Sequence, residues 1–195
     1  MIRFCDAFFS LLGLIVLSPI FVIIALCIVL DSRGGVFYRQ VRVGRDGKDF
    51  RLFKFRSMAS GADKKGLITV GAKDSRVTRV GYFLRKYKLD ELPQLLNVVR
   101  GEMSLVGPRP EVRKYVDMYT VEQRKVLAVA PGITDYASIE YADENTILGQ
   151  ASDPDRAYVE QIMPDKIRYN MKYINNRCLK EYFKIIFLTL MKIVK

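Results

Sequence analysis

Two adjacent carboxylates, Asp90 and Glu91, are the residues of this chain whose type and setting best suit catalysis. The sequence contains no histidine, which excludes Ser-His and Cys-His nucleophiles, acid/base catalysis by histidine and most zinc sites. A carboxylate is itself a competent nucleophile for phosphoryl transfer, in which arginine, lysine and metal ions stabilise the developing charge. A glycosidase is a poorer match, because its two carboxyl groups must flank the glycosidic bond about 5 to 9 Å apart. The pair therefore indicates phosphoryl transfer.

The local sequence predicts that Asp90 and Glu91 begin a helix. Asp90 lies where an N-cap belongs, Pro93 suits the first turn, and Gly101 suits the end. The i, i+3, i+4, i+7 spacing predicts one apolar face, formed by Leu92, Leu95, Leu96 and Val99. Such a helix start binds phosphate and, with nearby cations, keeps an aspartate ionised. Two carboxylates there would repel a phosphate unless a divalent cation, Mg²⁺ or Mn²⁺, lay between them. The same residues also fit an ordinary helix cap without a catalytic role.

Several basic residues are candidates for phosphate binding. They are Lys54, Arg56, Arg79, Arg85 and Arg109. Arg109 lies between two prolines, which restrict the backbone and suit bidentate phosphate binding. Lys54 and Arg56 also fit a solvated strand edge, and Arg109 fits an exposed position on a rigid loop.

An uncharged apolar run covers residues 8–30, with Ser18 and Pro19 at its centre. Pro19 predicts a sharp bend, and each half of the run is then about 16 to 18 Å long, enough for one leaflet. Ser18 can hydrogen-bond the carbonyl groups that Pro19 leaves free. We therefore expect residues 1–32 to form a re-entrant helix-break-helix, with a single kinked membrane-spanning helix as the alternative. The basic residues that follow the run predict a cytoplasmic catalytic domain over residues 33–195 in either case.

The rest of the sequence predicts an α+β fold that is mainly helical. Residues 36–43 and 48–56 predict the strands of a β-hairpin, joined by a turn at 44–47. The C-terminal stretch predicts an amphipathic helix with an apolar stripe of Leu179, Phe183, Ile186, Phe187, Leu190 and Val194. This helix fits the membrane interface and fits equally a helix packed on the domain.

Five motifs in order make the chain resemble the bacterial sugar transferases, specifically the small monotopic phosphoglycosyl transferases. They are Ser18-Pro19 in the apolar run, Lys54-Phe55-Arg56-Ser57-Met58, Leu89-Asp90-Glu91-Leu92-Pro93-Gln94, Ser104-Leu105-Val106-Gly107-Pro108-Arg109-Pro110 and Pro131-Gly132-Ile133-Thr134. The resemblance covers nearly the whole chain. It implies a monotopic protein with a re-entrant helix, held on the cytoplasmic face of the bacterial inner membrane.

The resemblance also implies an activity and roles for particular residues. It implies transfer of a sugar 1-phosphate from a UDP-sugar to undecaprenyl phosphate, with release of UMP, in the first membrane step of glycoconjugate assembly. By the same resemblance, Asp90 is the nucleophile that forms a covalent phosphosugar, Glu91 is its partner, and Mg²⁺ bridges the two carboxylates and the diphosphate. Lys54 and Arg109 fall at phosphate- or nucleotide-binding positions. A homodimer is compatible with this assignment.

The sequence departs from the family pattern in two places. After Pro-Gly-Ile-Thr, many relatives continue with Gly and a stretch that ends Asn-Gly-Arg-Asn, whereas residues 135–145 of this chain contain no arginine. Some relatives have an aspartate three residues before a tyrosine in the last third, where this chain has Asn170 and Tyr173. We expect these departures to affect the choice of sugar, and the candidate specificity residues are Asp135, Tyr136, Glu140 and Asn145.

The net charge of +11 predicts negatively charged partners, such as lipid head groups, phosphates and nucleotides. One alternative function is therefore a non-catalytic, membrane-anchored basic module that binds anionic lipid or nucleic acid. No nucleic-acid motif is present, so we do not expect a nucleic-acid partner. A second alternative is a sugar-nucleotide hydrolase that works without a lipid acceptor.

Overall fold

The computed structural model describes residues 1–59, 61–62, 74–141 and 144–194, without the side chains of residues 145, 146, 193 and 194. The helices are α1 (Ile2–Asp31), α2 (Arg79–Lys86), α3 (Gln94–Arg100), α4 (Arg113–Val116), α5 (Tyr136–Glu140), α6 (Glu144–Gln150), α7 (Pro154–Ala157), α8 (Met163–Asn175) and α9 (Leu179–Val194). The strands are β1 (Phe37–Val43), β2 (Asp49–Phe55), β3 (Ser104–Val106) and β4 (Gly132–Thr134). The predicted α+β, mainly helical class is confirmed.

Helix α1 continues through Ser18 and Pro19 without interruption. A proline has no N–H, so Pro19 leaves the carbonyl of Ile15 without its helical donor. The Ser18 hydroxyl donates to that same carbonyl at 2.8 Å, as the sequence predicts. The helical assignment therefore runs through the expected break in residues 1–32, with the serine replacing the hydrogen bond that the proline removes, and a bend at Pro19 with a re-entrant path stays a prediction.

Both ends of α1 are attached to the rest of the protein. Near its start, the buried carboxylate of Asp6 accepts hydrogen bonds from the Ser104 hydroxyl, the Leu105 N–H and the Tyr182 hydroxyl, each at 2.9 Å. At its end, Asp31 accepts from the N–H of Val80 at 3.1 Å. These contacts attach both end regions of the helix to the rest of the described structure.

Most apolar side chains of α1 face outward. The helix is long and apolar enough to cross a membrane, yet only 11% of its most apolar stretch of 18 residues is buried. Ile24 and Ile28 are exceptions, since they pack against Phe55 and Leu84. A soluble core helix would bury such a surface, so the exposed surface of α1 calls for an apolar partner.

The predicted hairpin is confirmed. Strands β1 and β2 pair antiparallel, with Phe37 opposite Phe55 and Val43 opposite Asp49. The turn between them places Asp46 and Gly47 at positive φ, 57° and 72°, which glycine and aspartate tolerate best. On β2, Leu52, Phe53 and Phe55 are buried, and Lys54 lies between Phe53 and Phe55 on the opposite face.

Strands β3 and β4 form a short parallel pair that leads into the Arg109 loop. Gly107 and Gly132 lie against each other, so that a Cβ atom on Gly132 would stand 2.1 Å from the Gly107 nitrogen. The Gly132 N–H donates to the carbonyl of Pro108 at 2.9 Å. This close approach fixes the backbone on the N-terminal side of Arg109.

The buried face of α3 differs from the predicted one. Gln94, Asn97 and Val98 are fully buried, whereas Val99 is 38% exposed. Asn97 accepts a hydrogen bond from the Phe53 N–H at 2.9 Å and donates to the carbonyl of Arg51 at 2.8 Å, so this face joins α3 to the hairpin. The predicted leucine face turns toward α1, where Leu95 meets Gly13. The prediction failed because α3 packs against two surfaces. Its polar face packs on the hairpin, and its leucine face packs on the apolar helix α1.

The last helix also has two different faces. Tyr182 and Ile185 are fully buried in a cluster with Val106 and Tyr173. The predicted apolar stripe is largely outside this cluster, with Phe183, Phe187 and Leu190 exposed by 44%, 62% and 57%. Helix α9 therefore packs on the domain through one face and presents a second apolar face outward.

Candidate active site

Asp90 and Glu91 lie on a tight helical turn and not at the cap of a helix. Leu89–Glu91 form a single 3-10 turn, and α3 begins only at Gln94, with no side-chain capping bond. Pro93 explains the difference, because it cannot donate the bond that would continue an α-helix back to Leu89. The prediction that Asp90 caps a helix is wrong, and phosphate binding at this turn stays a prediction.

Glu91 is held by two cations from distant parts of the chain. The Lys54 ammonium donates to its Oε1 at 2.9 Å, and both terminal nitrogens of Arg109 donate to the carboxylate, one to Oε2 at 3.1 Å and the other to Oε1. Burial would raise the pKa of Glu91, but the charges of Arg109 and Lys54 outweigh it and hold this pKa well below its usual range. Glu91 is therefore ionised and fixed in position.

The pKa values of Arg109 and Lys54 shift in opposite directions, although both side chains contact Glu91. The charge of Glu91 raises the pKa of Arg109. Burial lowers the pKa of Lys54, although Glu91 opposes the shift. An ammonium group loses more on leaving water than a guanidinium, whose charge is delocalised.

Asp90 has a different environment from its neighbour. Its side chain is buried, with the residue only 7% exposed, and none of the described residues hydrogen-bonds to its carboxyl group. Burial raises the pKa of Asp90 above its ordinary value, with Lys54, Arg85 and Arg109 acting in the opposite direction. The helix dipole expected at Asp90 is missing, because α3 begins only at Gln94, and burial outweighs the nearby cations in setting the direction of the pKa shift.

Three of the five predicted phosphate-binding cations come together here. Lys54 and Arg109 contact Glu91, and Arg85 is close enough for its charge to lower the pKa of Asp90. Arg79 is exposed at the first residue of α2 and makes no hydrogen bond or ion pair with Asp90 or Glu91.

Arg56 lies elsewhere and has a structural contact. Its buried guanidinium donates to carbonyl groups at the end of α1, including Ser32 at 2.7 Å and Ile28 at 3.4 Å. A cation at this position satisfies carbonyls that a helix end leaves free. The geometry therefore argues against the prediction that Arg56 binds phosphate.

Sequence reasoning missed the residues that position Arg109. The Asp135 carboxylate accepts from the backbone N–H of Arg109 at 3.0 Å and caps α5 by accepting from Ser138 at 2.6 Å. On the other side, Arg42 donates to the carbonyl of Pro110 at 3.2 Å and pairs with Glu111 at 3.3 Å. An aspartate three residues before a serine is a recognisable cap pattern, but no local signal links it to Arg109.

The candidate specificity residues do not converge on Asp90. Asp135 is 1% exposed and has the positioning contacts described above. The Tyr136 hydroxyl donates to Glu181 on α9, and Glu140 is exposed at the end of α5. The side chain of Asn145 lies outside the described residues. That these residues select the sugar stays a prediction, and no contact with the carboxylate pair supports it.

The carboxylate pair fits a hard cation only together with other oxygen ligands. Among the described residues, no group of three or more Cys, Asp or Glu side chains could hold a metal ion. Glu91 has both oxygens engaged by Arg109 and Lys54. Asp90 offers a buried carboxylate to which no described residue donates, and Mg²⁺ would satisfy such an orphaned ligand. Mg²⁺ is commonly bound by one or two carboxylates with substrate phosphates and water.

The geometry supports attack on a phosphorus atom at Asp90. A carboxylate without hydrogen-bond donors keeps its lone pairs available. Three cations, Lys54, Arg85 and Arg109, lie close to Asp90, whereas Glu91 adds one negative charge beside it. The local field therefore favours a bound anion with several negative oxygens.

A family model and several known proteins are similar in sequence to this chain. Residues 1–195 match the family model described as bacterial sugar transferase. The chain is 36% identical over 195 residues to the UDP-N-acetylgalactosamine-undecaprenyl-phosphate N-acetylgalactosaminephosphotransferase of Aeromonas hydrophila, covering 98% of this chain and 43% of the relative. It is 40% identical over 193 residues to the UDP-glucose:undecaprenyl-phosphate glucose-1-phosphate transferase of Klebsiella pneumoniae, covering 97% of this chain and 39% of the relative. The chain thus spans about two fifths of the length of these relatives.

Proposed function

This chain belongs to the bacterial sugar transferase family, and from that premise we propose that it transfers a sugar 1-phosphate from a UDP-sugar to undecaprenyl phosphate. The products are undecaprenyl-diphosphate-sugar and UMP, and the reaction begins the membrane stage of glycoconjugate assembly. The observation that carries the proposal is the Asp90 carboxylate, which is buried, accepts no hydrogen bond from the described residues and lies beside an ion-paired Glu91. Relatives whose names state undecaprenyl-phosphate sugar phosphotransferase activities support the choice of substrates.

In the first half of the reaction, an Asp90 oxygen attacks the phosphorus that carries the sugar. A bond forms between that oxygen and the phosphorus, and the phosphoanhydride bond to UMP breaks. UMP leaves with the electron pair of the broken bond. The product is an aspartyl phosphosugar, whose formation needs no proton transfer from a histidine.

In the second half, a phosphate oxygen of undecaprenyl phosphate attacks the same phosphorus. The bond to Asp90 breaks, and its electron pair returns to the carboxylate. One phosphoanhydride has been exchanged for another through an acyl-phosphate intermediate, so the enzyme is unchanged at the end. This order of steps is a ping-pong course.

Glu91 acts in this scheme by positioning cations. Its carboxylate orients Arg109 and Lys54, which keep further N–H donors for the oxygens of the diphosphate. Asp135 and Arg42 fix the backbone on the two sides of Arg109. A bound Mg²⁺, held by Asp90 and diphosphate oxygens, would neutralise charge on the phosphates.

We also propose that α1 enters the bilayer from the cytoplasmic side and returns to it. The contacts of Asp6 near one end of α1 and of Asp31 at the other with the same body support this topology. The outward-facing side chains of α1 and α9 would then contact lipid, and the domain would rest at the interface, where both of its substrates meet.

Mass spectrometry of the intact, denatured protein tests the mechanism. After incubation with a panel of UDP-sugars and Mg²⁺ but no lipid, the wild type should gain the mass of a phosphosugar and release one equivalent of UMP. The Asp90→Asn protein should gain nothing, because an amide is not a nucleophile. Substantial turnover by a folded Asp90→Asn protein would overturn the covalent mechanism.

The lipid acceptor separates this function from the alternatives. Continuous UMP release should require undecaprenyl phosphate. Steady release without lipid would indicate a sugar-nucleotide hydrolase, and salt-sensitive binding to anionic vesicles without any UMP would indicate a non-catalytic basic module.

A further inference from the structure

A small cavity lies next to the loop that carries Arg109. Its volume is about 40 Å³, and Pro108, Arg109 and Pro110 form one of its walls. Since one water needs roughly 10 to 15 Å³ of such space, the cavity has room for about three water-sized groups. Through Arg109, this space adjoins the residues that hold Glu91.

Helix α8 provides a second wall, on which polar and apolar side chains share one face. Lys166 and Asn170 are four residues apart and therefore neighbours on the helix surface, and both line the cavity together with Met163 and Ile167. Val126 closes the space as another apolar group. The cavity thus combines this polar pair with apolar side chains, and Arg109, Glu111, Tyr119 and Tyr158 complete its polar lining.

The polar pair has unused hydrogen-bonding capacity. Asn170 is 6% exposed, and its buried Oδ1 has no partner among the described residues. The Lys166 ammonium donates to Glu144 at 2.8 Å and lies 5.3 Å from the ring centre of Tyr158, which leaves it further N–H donors. An unpartnered buried acceptor is costly for a protein, so a ligand that supplies a donor to Asn170 would gain affinity.

We infer that this cavity takes an acetamido group of the donor sugar, with Asn170 and Lys166 as the residues that recognise it. An acetamido group offers an N–H to the Asn170 oxygen and a carbonyl oxygen to the Lys166 ammonium. Its four non-hydrogen atoms are close in number to the three water-sized groups that the cavity holds, and the methyl would contact Val126, Met163 and Ile167. A hydroxyl at the same ring position would fill only part of the space, and it presents its donor and its acceptor on one atom, whereas the acetamido group presents them on two atoms.

Both departures from the family pattern contribute residues at or next to this cavity. Asn170 is one departure, and Glu144, which holds Lys166, lies in the other, the arginine-free stretch of residues 135–145. They are far apart in sequence but meet at one cavity. The inference rests on the proposed function for its nucleotide-sugar ligand, and it deepens that function by naming the donor class.

Binding measurements on the full chain test the inference. In an Asp90→Asn background, where no donor is consumed, calorimetry with Mg²⁺ would give the Kd of UDP-N-acetylglucosamine, UDP-N-acetylgalactosamine, UDP-glucose and UDP-galactose. We expect the better acetamido donor to bind at least about tenfold more tightly than its hydroxyl counterpart, the worth of one to two buried hydrogen bonds. Asn170→Ala and Lys166→Met should each bring this ratio close to one. Asn175→Ala, an exposed position on the same helix, is the matched control and should leave the ratio unchanged.

A ratio near one in the protein with Asn170 and Lys166 intact would overturn the inference, and so would a preference for acetamido donors that survives both substitutions. A loss of stability alone would lower all four affinities together and would not change the ratio. The outcome is separate from that of the mass measurement. If UDP-glucose forms an adduct and the Kd values show no preference for acetamido donors, the transferase function is supported and the cavity assignment is wrong. If the Kd values show the preference but no adduct forms, the cavity assignment is supported and the covalent mechanism is wrong.

Discussion

At the scale of single residues, two adjacent carboxyl groups have opposite electrostatic environments. Burial raises the pKa of Asp90, whereas Arg109 and Lys54 overcome burial and lower the pKa of Glu91. Such a separation is typical of sites where two acids have different roles. Here the residue with the free carboxyl group suits attack on phosphorus, and the residue with two ion pairs suits the positioning of cations.

Asp90→Asn should stabilise the folded protein at neutral pH. A carboxyl group whose pKa is raised by folding contributes stability below its unfolded pKa and loses that contribution as the pH rises through the folded pKa. At pH 7.5 the neutral amide avoids a buried charge without a partner, so we expect a gain of about 0.5 to 2 kcal/mol in the free energy of unfolding. The gain should be smaller at pH 4.5, because the raised pKa of Asp90 brings protonation of its carboxyl group closer to that pH.

Thermal unfolding in detergent, followed by circular dichroism at both pH values, would check this expectation. Glu91→Gln is the informative control, because it leaves Arg109 and Lys54 without their counter-charge and should lower the midpoint at pH 7.5. An Asp90→Asn protein that is markedly less stable than the wild type at pH 7.5 would show that Asp90 has a structural role after all.

At the scale of elements, α1 depends on polar anchors as well as on apolar packing. Asp6 is 2% exposed and joins α1 to both β3 and α9. Strand β3 leads directly into the Arg109 loop, and its first residue, Ser104, donates to Asp6. The start of the apolar helix is therefore connected to the residues around Glu91 through a single strand.

Asp6→Ala should destabilise the protein by about 2 to 4 kcal/mol, because it leaves the Leu105 N–H and the Tyr182 hydroxyl buried without an acceptor. The loss should appear as a lower midpoint of thermal unfolding and as faster hydrogen exchange at β3. Glu122→Gln removes an exposed carboxylate and should change neither quantity. Unchanged exchange at β3 in Asp6→Ala would mean that the strand is held without this anchor.

At the scale of the whole molecule, apolar side chains on three helices face outward. Examples are Leu30 on α1, exposed by 86%, Phe187 on α9, exposed by 62%, and Tyr82 on α2, exposed by 55%. Phe9 of α1 and Phe183 of α9 are in edge-to-face contact, with ring centres 6.1 Å apart, so two of these surfaces are continuous. A surface of this kind is typical of a protein that rests in a membrane.

Cysteine labelling tests the orientation of α1 in that membrane. In a background without Cys5, Cys27 and Cys178, a cysteine at Met1 or at Gly35 should stay unlabelled by an impermeant maleimide added from the periplasmic side. Both should react after permeabilisation, because both ends of α1 lie with the domain. A double change, Ser18→Leu with Pro19→Ala, should favour a straight span and expose position 1. Labelling at position 1 in the unchanged helix would contradict the re-entrant topology.

The sequence by itself determined the features that depend on neighbouring residues. The apolar run, the Ser18 bond that compensates Pro19, the hairpin turn and the acidic pair all follow from types and spacings within a few residues. The absence of histidine likewise narrows the possible chemistry, because residue types alone exclude a histidine base. These features are local, so the chain needs no distant partner to specify them.

Only the tertiary structure decided which distant residues meet. Lys54 and Arg56 are two residues apart in sequence and predict the same role, yet Lys54 pairs with Glu91 and Arg56 caps α1. Asp135 is a helix cap by pattern, and its contact with the Arg109 backbone comes from the pairing of β3 with β4. Asn170 and Glu144 lie near one cavity because α8 packs beside the Arg109 loop. The physical reason is the same in each case: a local pattern specifies a residue's conformation, whereas burial, charge and hydrogen bonding depend on the elements that fold against it.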